Sequence, residues 1–433
     1  MRPKIFLADE HDIDFSQLDP DALFVIQRLQ EAGFVAYLVG GGVRDLLVKK
    51  KPKDFDVSTS ARPEEIKHLF RKHCLLIGRR FRLAHIRFGK KIIEVSTFRS
   101  GESAEDLIVR DNQWGTPEED AVRRDFTING LFYDPTEHHV IDYVGGWDDI
   151  HQSTLRTIGD AVVRFRQDPV RMIRLLKFQA RFDFKVAPDA DKALKQCLDE
   201  ISKSSPARVL EEIFRMLESG SSEPFFRLLQ QQGFLELLFP WLSHFLEGPH
   251  ADTVYSLLAG SDRYHKDPVQ QETLDRSILS TCLQYPILHE EIRTQYLDRD
   301  YIPHVGEISN LAASIGKAVS SSSFSHFPRR LRILAHYIMT MQYRMTPLNQ
   351  KIHYRSKIVR HPDFSLALDF LRIRALADPS LRPIYDGWRA AADEPISDQD
   401  AGNGGDGEGA VPPRPRRRRR PSGRGRRPHA SQS

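Results

Sequence analysis

Alternating apolar and polar positions in roughly the first 150 residues predict a small sheet flanked by helices. The patterns favour strands at Ala36–Val39, 55–58, Leu83–Phe88 and 92–97, and helices at 21–32 and 63–73. The second helix has Pro63 in its first turn and Glu64 and Glu65 near the positive end of its dipole. We therefore expect helix and strand to be mixed in this part of the chain.

From about Asp168 the apolar positions recur with a helical period. Val170, Ile173 and Leu176 show it, and Ser205-Pro206 provides a helix start before a second such run. Beyond residue 395 the chain is rich in Gly and Asp and then in Arg, a composition that cannot bury a core. We predict an α+β fold with an N-terminal extension at 1–22, a mixed domain at 23–150, helical parts at 151–220 and 221–395, and a disordered basic tail at 396–433.

The net charge of +4 is unevenly distributed, because residues 411–433 contain nine arginines and no acidic residue. The three cysteines lie far apart without a metal-binding spacing, which predicts neither disulfides nor a zinc site and suits a reducing cytoplasm. The N-terminus lacks the apolar stretch of a signal peptide, and no run approaches the roughly 18 apolar residues of a membrane-spanning helix. We expect a soluble, cytoplasmic protein.

The strongest candidate for chemistry is a pair of aspartates, Asp54 and Asp56. Side chains alternate along a strand, so both carboxylates face the same way, and a hard divalent cation such as Mg2+ would relieve their repulsion. The glycines at 40–42 follow a strand and can bring backbone N–H groups close to a phosphate. The alternative is an ordinary glycine turn followed by a strand with two solvent-facing acids.

The order Gly40-Gly41-x-x-Arg44, then Asp54-x-Asp56, resembles motif A of the class II nucleotidyltransferases, the family of CCA-adding enzymes and bacterial poly(A) polymerases. The resemblance implies a polymerase-β-like head at 23–150, an all-α neck at 151–220 and an all-α body at 221–395. It implies addition of nucleotides to RNA without a template, with ATP as a substrate and two Mg2+ (or Mn2+) ions as cofactors. Gly40, Gly41 and Arg44 would hold the triphosphate.

Glu94 lies in a stretch that resembles the family's I/V-E-V-x-T-F-R strand, which supplies a third acid there. The resemblance therefore makes Asp54, Asp56 and Glu94 the metal-binding and catalytic residues. Without it, Glu94 would be interpreted as an exposed glutamate on an amphipathic strand.

Residues 123–131 resemble the family's R-R-D-F-T-x-N-A-L motif, which is associated there with the ribose and triphosphate. The resemblance assigns Arg124 and Asp125 to the ribose, Arg123 to phosphate and Asn129 to the nucleotide-binding set. Gly130 stands where the family usually has alanine or serine. Locally, the arginines and aspartate could equally be a surface ion-pair set worth about 0 to 1 kcal/mol.

Residues 167–178 resemble the family's E-D-x-x-R motif, whose Asp and Arg contact the incoming base. A carboxylate accepts from an exocyclic amine and a guanidinium donates to ring nitrogens, so Asp168 and Arg171 would choose the base, and Arg174 joins the nucleotide-binding set. Gln167 stands where Glu is usual. The alternative is an ion pair three residues apart on one helix face.

Two basic segments bear on the choice between the two activities of this family. Residues 76–88 resemble a string that marks bacterial poly(A) polymerases, and four arginines among apolar residues predict one strand with a cationic face. The residues assigned to RNA are Arg79, Arg80, Arg416, Arg417, Arg418, Arg419 and Arg420. The alternatives are a solvated edge strand and a solubilising or protein-binding tail.

The sequence thus supports the hypothesis of an enzyme that adds AMP from ATP to RNA 3′ ends. The alternatives are a CCA-adding tRNA nucleotidyltransferase and an RNA-binding protein with an inactive polymerase head. We also expect a monomer without membrane segments, and partners among RNA-degradation or RNA-chaperone proteins.

Overall fold

The computed structural model describes residues 2–78, 83–100, 114–270, 273–349, 352–354 and 356–393. The residues up to Ala392 form one compact unit. The strands are β1 (Lys4–Phe6), β2 (Ala36–Val39), β3 (Asp56–Thr59), β4 (Cys74–Ile77), β5 (Leu83–Phe88), β6 (Lys91–Thr97), β7 (Leu131–Asp134), β8 (His139–Asp142), β9 (Thr154–Leu155) and β10 (Lys185–Val186).

Helices make up most of the chain after residue 160. The α-helices are α1 (Pro20–Glu31), α2 (Gly41–Leu47), α3 (Pro63–Phe70), α4 (Pro117–Val122), α5 (Gly146–His151), α6 (Ala161–Gln167), α7 (Val170–Phe182), α8 (Pro188–Gln196), α9 (Pro206–Leu217), α10 (Ser222–Gln231), α11 (Phe234–Leu238), α12 (Pro240–Leu246), α13 (Ala251–Lys266), α14 (Arg276–Gln295), α15 (Val305–Val319), α16 (Arg329–Met345), α17 (Ser356–Val359), α18 (Phe364–Ala377) and α19 (Arg382–Asp393). Short 3-10 turns occur at Phe15–Gln17, Arg71–His73, Thr127–Asn129, Leu198–Lys203, Leu297–Arg299, Ser323–Ser325 and Pro379–Leu381.

Eight strands form one mixed sheet in the order β1-β8-β7-β2-β3-β6-β5-β4. Its neighbouring strands are antiparallel except β3 and β6, which run parallel, and β9 pairs with β10 in a separate parallel ladder. This sheet, followed by the helices from α6 onward, confirms the predicted α+β class. The domain boundaries stay predictions, although β1 adds the first residues to the sheet edge.

The two faces of the sheet have different environments. Leu38, Val57 and Val95 point to one face, where they are buried in the main core together with residues of α1 and α3. Val39 pairs with Asp56 and with Phe132, so these side chains share the opposite face. We call this second side the acidic face. A small apolar cluster there contains Val39, Phe98, Ala121, Phe132 and Ile141.

The structure confirms the predicted strands to within one residue, and one prediction is wrong. Residues 76–88 do not form a single basic strand, because β4 and β5 are two antiparallel strands. Gly78 follows β4 with a φ of 84°, a left-handed conformation that ends the strand. Arg79 and Arg80 lie outside the described residues.

The helices pack into a core that continues from the sheet through α16 and into α18, and a second cluster surrounds the buried Trp388. Cys74, Cys197 and Cys282 are free and buried. In the described part of the chain, we find no helix that is both long and apolar enough to cross a membrane.

Helices α13 and α18 approach closely at Gly260. A β-carbon at Gly260 would lie 2.8 Å from the carbonyl oxygen of Ile373, a backbone atom that cannot move cheaply. We expect Gly260→Ala to lower the free energy of unfolding by about 1 to 3 kcal/mol, measured by chemical denaturation.

Gly316 in α15 is the matched control, because a β-carbon there would meet no atom within 4 Å. Gly316→Ala should stabilise the protein by about 0.5 to 1 kcal/mol through helix propensity. Equal effects of the two substitutions would contradict this packing.

Candidate active site

Two acids lie side by side on the acidic face. Strand β3 begins at Asp56, and Val57 of β3 pairs with Val95 of β6 in parallel register. Asp56 and Glu94 each precede a member of this pair, so they occupy neighbouring positions on strands about 4.8 Å apart. Asp54 lies two residues before β3, just outside the strand, as it also lies outside the predicted strand at 55–58.

The three carboxylates repel one another. The pKa of Asp56 is raised from 3.8 to about 6, first by partial loss of hydration and then by the negative charges of Glu94 and Asp54. Asp56 nevertheless remains exposed, so a cation could reach it from solvent. Within the described ranges, no three His, Cys, Asp or Glu side chains form a ready metal site. The fit to a metal rests on the charge and repulsion of these acids.

Glu94 has a second neighbour. Its Oε1 lies 3.3 Å from Nε2 of His85, the residue opposite it on β5. Glu94 is half exposed, so its carboxylate is accessible beside that imidazole.

The glycine turn lies against the acids and against Arg124. Gly40 has a φ of 66°, and a β-carbon there would lie 3.1 Å from Nη1 of Arg124. A β-carbon on Gly42 would lie 3.3 Å from the carbonyl oxygen of Asp54. The glycines therefore let the start of α2 approach both the backbone of Asp54 and the side chain of Arg124, and their assignment to a phosphate stays a prediction.

Asp120 orients the two neighbouring arginines, and the sequence did not single it out. It is 1 % exposed, and its two carboxylate oxygens accept from Arg123 Nε at 2.8 Å and from Arg124 Nη2 at 2.8 Å. Burial alone would raise the pKa of Asp120, but the two guanidinium groups lower it. Arg164 of α6 also donates to the backbone carbonyls of both arginines.

Arg44 lies beneath the glycine turn and not on its surface. Its Nη2 donates to Asp45 Oδ1 at 2.6 Å and its Nη1 to Asn129 Oδ1 at 2.6 Å. The guanidinium also lies 4.8 Å from the ring centroids of Phe178 and Phe182. Arg44 is therefore buried among protein partners, and its assignment to the triphosphate stays a prediction.

Asn129 continues this chain of contacts toward the helices. Its Nδ2 donates to Asp125 Oδ1 at 3.0 Å, and Asp125 Oδ2 lies 2.9 Å from Arg174 Nη2. Burial alone would raise the pKa of Asp125, but Arg174 and Asn129 lower it. Four of the predicted nucleotide-binding residues thus form one connected set: Arg44, Asn129, Asp125 and Arg174.

Two further contacts tie α7 to its surroundings. Arg181 Nη2 lies 2.7 Å from Asp45 Oδ2, so one buried aspartate holds an arginine from α2 and another from α7. Lys177 pairs with Glu212 of α9, and burial lowers the pKa of Lys177 to about 8 although Glu212 opposes the shift. Neither Asp45 nor Glu212 was identified from the sequence.

Asp168 lies at the junction between α6 and α7, and Arg208 of α9 donates to its Oδ2 at 2.7 Å. Asp168 Oδ1 and Gln167 Oε1 are buried and have no hydrogen-bond partner in the described part of the protein. Arg171 is also buried, and its Nη1 donates to the carbonyl oxygen of Arg164 at 3.3 Å.

The remaining predicted residues cannot be placed. Arg79, Arg80, Arg416, Arg417, Arg418, Arg419 and Arg420 lie outside the described residues. Of the side chains that sequence reasoning missed, Asp45 and Asp120 lie within or beside the motifs and their acidic type was a usable signal. Arg208 and Glu212 lie in the next helix and carried no such signal.

An acidic sheet face beside a glycine turn and two oriented arginines, followed by a helical array, defines a nucleotidyltransferase. Three family models match the chain. "Poly A polymerase head domain" matches residues 36–156, "Probable RNA and SrmB- binding site of polymerase A" matches 183–246, and "Polymerase A arginine-rich C-terminus" matches 311–423. The chain belongs to the bacterial poly(A) polymerase family.

Relatives agree with this assignment. Poly(A) polymerase I of Escherichia coli is 35% identical over 399 residues, which cover 86% of this chain and 82% of that protein. Poly(A) polymerase I of Haemophilus influenzae is 44% identical over 250 residues, or 55% of each chain. The fold resembles the crystal structure of the Bacillus stearothermophilus CCA-adding enzyme with CTP, with a TM-score of 0.59 and 23% identity over 86% of this chain and 82% of that one.

The raised pKa of Asp56 predicts a stability effect in metal-free protein. The pKa of this carboxyl is about 6 in the folded protein and 3.8 ordinarily. The folded protein is therefore destabilised as the pH rises through this interval, because ionised Asp56 is less favourable in the folded state than in the unfolded state. Asp56→Asn removes that destabilisation. We expect the variant to melt roughly 2 °C above the wild type near pH 8, with a smaller difference near pH 5, in scanning calorimetry with a chelator.

The exposed Asp199 provides a control for this measurement. Asp199→Asn should leave the melting temperature unchanged at both pH values. A variant at Asp56 that is no more stable than the wild type near pH 8 would refute the inferred repulsion.

Asp120 predicts a combined effect on stability and binding. Asp120→Asn removes the buried charge between Arg123 and Arg124, so we expect a loss of about 1 to 3 kcal/mol in unfolding free energy and weaker nucleotide binding. Denaturation and equilibrium dialysis measure the two effects. The control is Glu137→Gln, at an exposed turn of the same sheet, which should change neither the unfolding free energy nor the nucleotide affinity. An unchanged nucleotide affinity in Asp120→Asn would argue against a role for Arg123 and Arg124 in nucleotide binding.

Proposed function

We propose that this protein is a template-independent polynucleotide adenylyltransferase, which adds AMP from ATP to RNA 3′ ends and makes poly(A) tails that affect RNA turnover. The observation that supports it most strongly is the placement of Asp56 and Glu94 side by side, next to Arg124 and the glycine turn. Membership of the poly(A) polymerase family selects adenylate addition among the reactions that such a site could perform.

Asp54, Asp56 and Glu94 would hold two Mg2+ ions, or Mn2+. Hard cations prefer carboxylate oxygens, and burial together with the charges of Glu94 and Asp54 raises the pKa of Asp56 although Arg124 and Arg215 oppose the shift, which supports a bound cation as a further source of positive charge. When bound, such ions lower the barrier for attack of the RNA 3′-hydroxyl oxygen on the α-phosphorus of ATP, with pyrophosphate as the leaving group.

Arg124 and the backbone of Gly40 and Gly41 form the proposed triphosphate and ribose site. Asp120 fixes Arg124 before substrate arrives, so its charge needs little reorganisation when phosphate binds. Arg123 would support phosphate in the same way. Because Arg44 is buried, we now assign it a positioning role: it holds Asn129, which in turn orients Asp125 at the ribose.

The base would be recognised at the start of α7. Asp168 Oδ1 is a buried acceptor without a partner among the described residues, which fits the exocyclic amine of adenine. Arg171 would donate to the ring nitrogens. Arg174 would hold Asp125 and connect base recognition to the ribose site.

RNA would lie along the helices, in agreement with the family model that matches 183–246. Arg329 and Arg330 are exposed in the first turn of α16, which contains no acidic residue. Arg330 lies 3.6 Å from Asp275. Positive charge is unfavourable at this end of a helix dipole, so the presence of Arg329 there favours a role in binding phosphates. We assign the same role to Arg79, Arg80 and the arginines at 416–420.

The proposal includes a location in the cytoplasm, where RNA and ATP are both available, and a monomeric state. Protein partners from RNA degradation or RNA chaperoning are proposed from the family resemblance alone.

The activity can be tested with purified protein, Mg2+ and an unstructured RNA. We expect ATP to give long adenosine tails with release of pyrophosphate, and Asp54→Asn combined with Asp56→Asn to reduce addition by roughly a thousandfold while RNA binding persists. Glu137→Gln should behave as the wild type.

The same assay separates the two alternatives. Addition of a short C-C-A end to a truncated tRNA, with little extension of other RNA, would instead identify a CCA-adding enzyme. RNA binding without release of pyrophosphate would identify an RNA-binding protein with an inactive head.

A further inference from the structure

The carboxylate of Asp168 has two oxygens in different situations. Arg208 Nη2 donates to Oδ2 at 2.7 Å, whereas Oδ1 is buried without a hydrogen-bond partner in the described residues. Asp168 is only 9 % exposed, so water does not readily satisfy Oδ1. A buried acceptor of this kind normally has a donor, which points to one supplied by a ligand.

The backbone explains why Asp168 stays in this position. Asp168 ends α6 with φ −146° and ψ 89°, and the buried Pro169 then starts the turn into α7. The amide of Asp168 donates to the carbonyl of Arg164, and the amide of Arg171 donates to the carbonyl of Asp168. The main chain is thus fixed on both sides, and the remaining freedom of the carboxylate is rotation of the side chain.

The neighbouring Gln167 gives an independent indication of a missing donor. Its Oε1 is likewise buried without a partner among the described residues. Two consecutive residues therefore present acceptors that no described donor fills. At the ring position where adenine and cytosine carry an exocyclic amine with two N–H bonds, guanine and uracil carry a keto oxygen, an acceptor that a carboxylate would repel.

Arg208 determines which oxygen of Asp168 is available. It lies in the first turn of α9, in a different helix from the base site, and its side chain is 58% exposed. A charge-assisted hydrogen bond of this length restrains the carboxylate plane. With Oδ2 held by Arg208, Oδ1 is the oxygen left to receive a donor from the base.

We propose that Arg208 is a positioning residue for base selection, which holds Asp168 Oδ2 so that Oδ1 accepts the amino group of the incoming nucleotide. This inference rests on the proposed function, since it assumes that a nucleotide base occupies the α6–α7 junction. It concerns the choice of amino bases over keto bases, and it does not distinguish adenine from cytosine. Nothing in the motif around Asp168 identifies Arg208, which lies 40 residues further along the chain.

The test compares equilibrium binding of ATP and GTP to the full chain, by competition against a fluorescent ATP analogue. We expect the wild type to prefer ATP, and Arg208→Ala to reduce the ATP-to-GTP affinity ratio about tenfold, mainly by weakening ATP. Arg208→Lys keeps the charge but offers a less directional donor, so it should recover part of the ratio. Lys317→Ala, which removes an exposed charge from α15, should leave the ratio unchanged.

A double-mutant cycle separates positioning from general stability. In an Asp168→Asn background, Arg208→Ala should cause no further change in the ratio, because the contact is already lost. Melting temperatures will show whether each variant folds, and if Arg208→Ala does not fold, Arg208→Gln provides the same comparison. An unchanged ratio in the folded Arg208 variant, or equal loss of ATP and GTP affinity, would overturn the proposal.

The same proteins are then assayed for RNA extension. Selective ATP binding that depends on Arg208, without any extension, would reject the proposed activity and leave this inference standing. Extension by an Arg208→Ala variant with wild-type selectivity would reject the inference and leave the activity standing.

Discussion

A buried line of charged and polar side chains joins the sheet to the helices that follow it. Asp45 binds Arg44 and Arg181, Arg44 binds Asn129, and Asn129 binds Asp125, which pairs with Arg174. Buried charges are costly unless each one has a partner. Moving α7 relative to α2 would therefore leave several of these groups unpaired. The residues proposed to bind the nucleotide lie along this line of contacts, so their geometry depends on the relative position of α2 and α7.

Local patterns were sufficient to predict the elements that carry the acids. Strands β2, β3, β5 and β6 follow from alternation, and the glycine run follows from its composition. Their arrangement was not predictable in the same way. Asp56 and Glu94 are neighbours only because β3 and β6 pair in parallel although β4 and β5 lie between them in sequence. Such a pairing is set by tertiary packing, and alternation within one strand contains no information about it.

The role of Arg44 shows a second limit of reasoning from the sequence. An arginine next to three glycines suggests phosphate binding, but the residue is 4 % exposed, and its Nε, Nη1 and Nη2 each donate to Asp45 or Asn129. Burial depends on Phe178 and Phe182, which come from a helix more than 130 residues away. Arg124, in contrast, lies against the glycine turn and is the cation that the turn admits. The local sequence does not show that Arg44 is buried and that Arg124 lies against the glycine turn, because both depend on contacts between distant parts of the chain.

Helix α9 contacts residues of both the proposed base site and the proposed ribose site. Through Arg208 it contacts Asp168, and through Glu212 it approaches Arg174, whose other partner is Asp125 in the loop after α4. Arg215 of the same helix lowers the pKa of Asp56 against the effect of burial and of the neighbouring acids. One helix outside the sheet thus acts electrostatically on the residues proposed for the base, the ribose and the metal at once. Under the proposed function, changes in α9 would alter the choice of nucleotide and the charge at the acids together, without any substitution in the motifs that define the family.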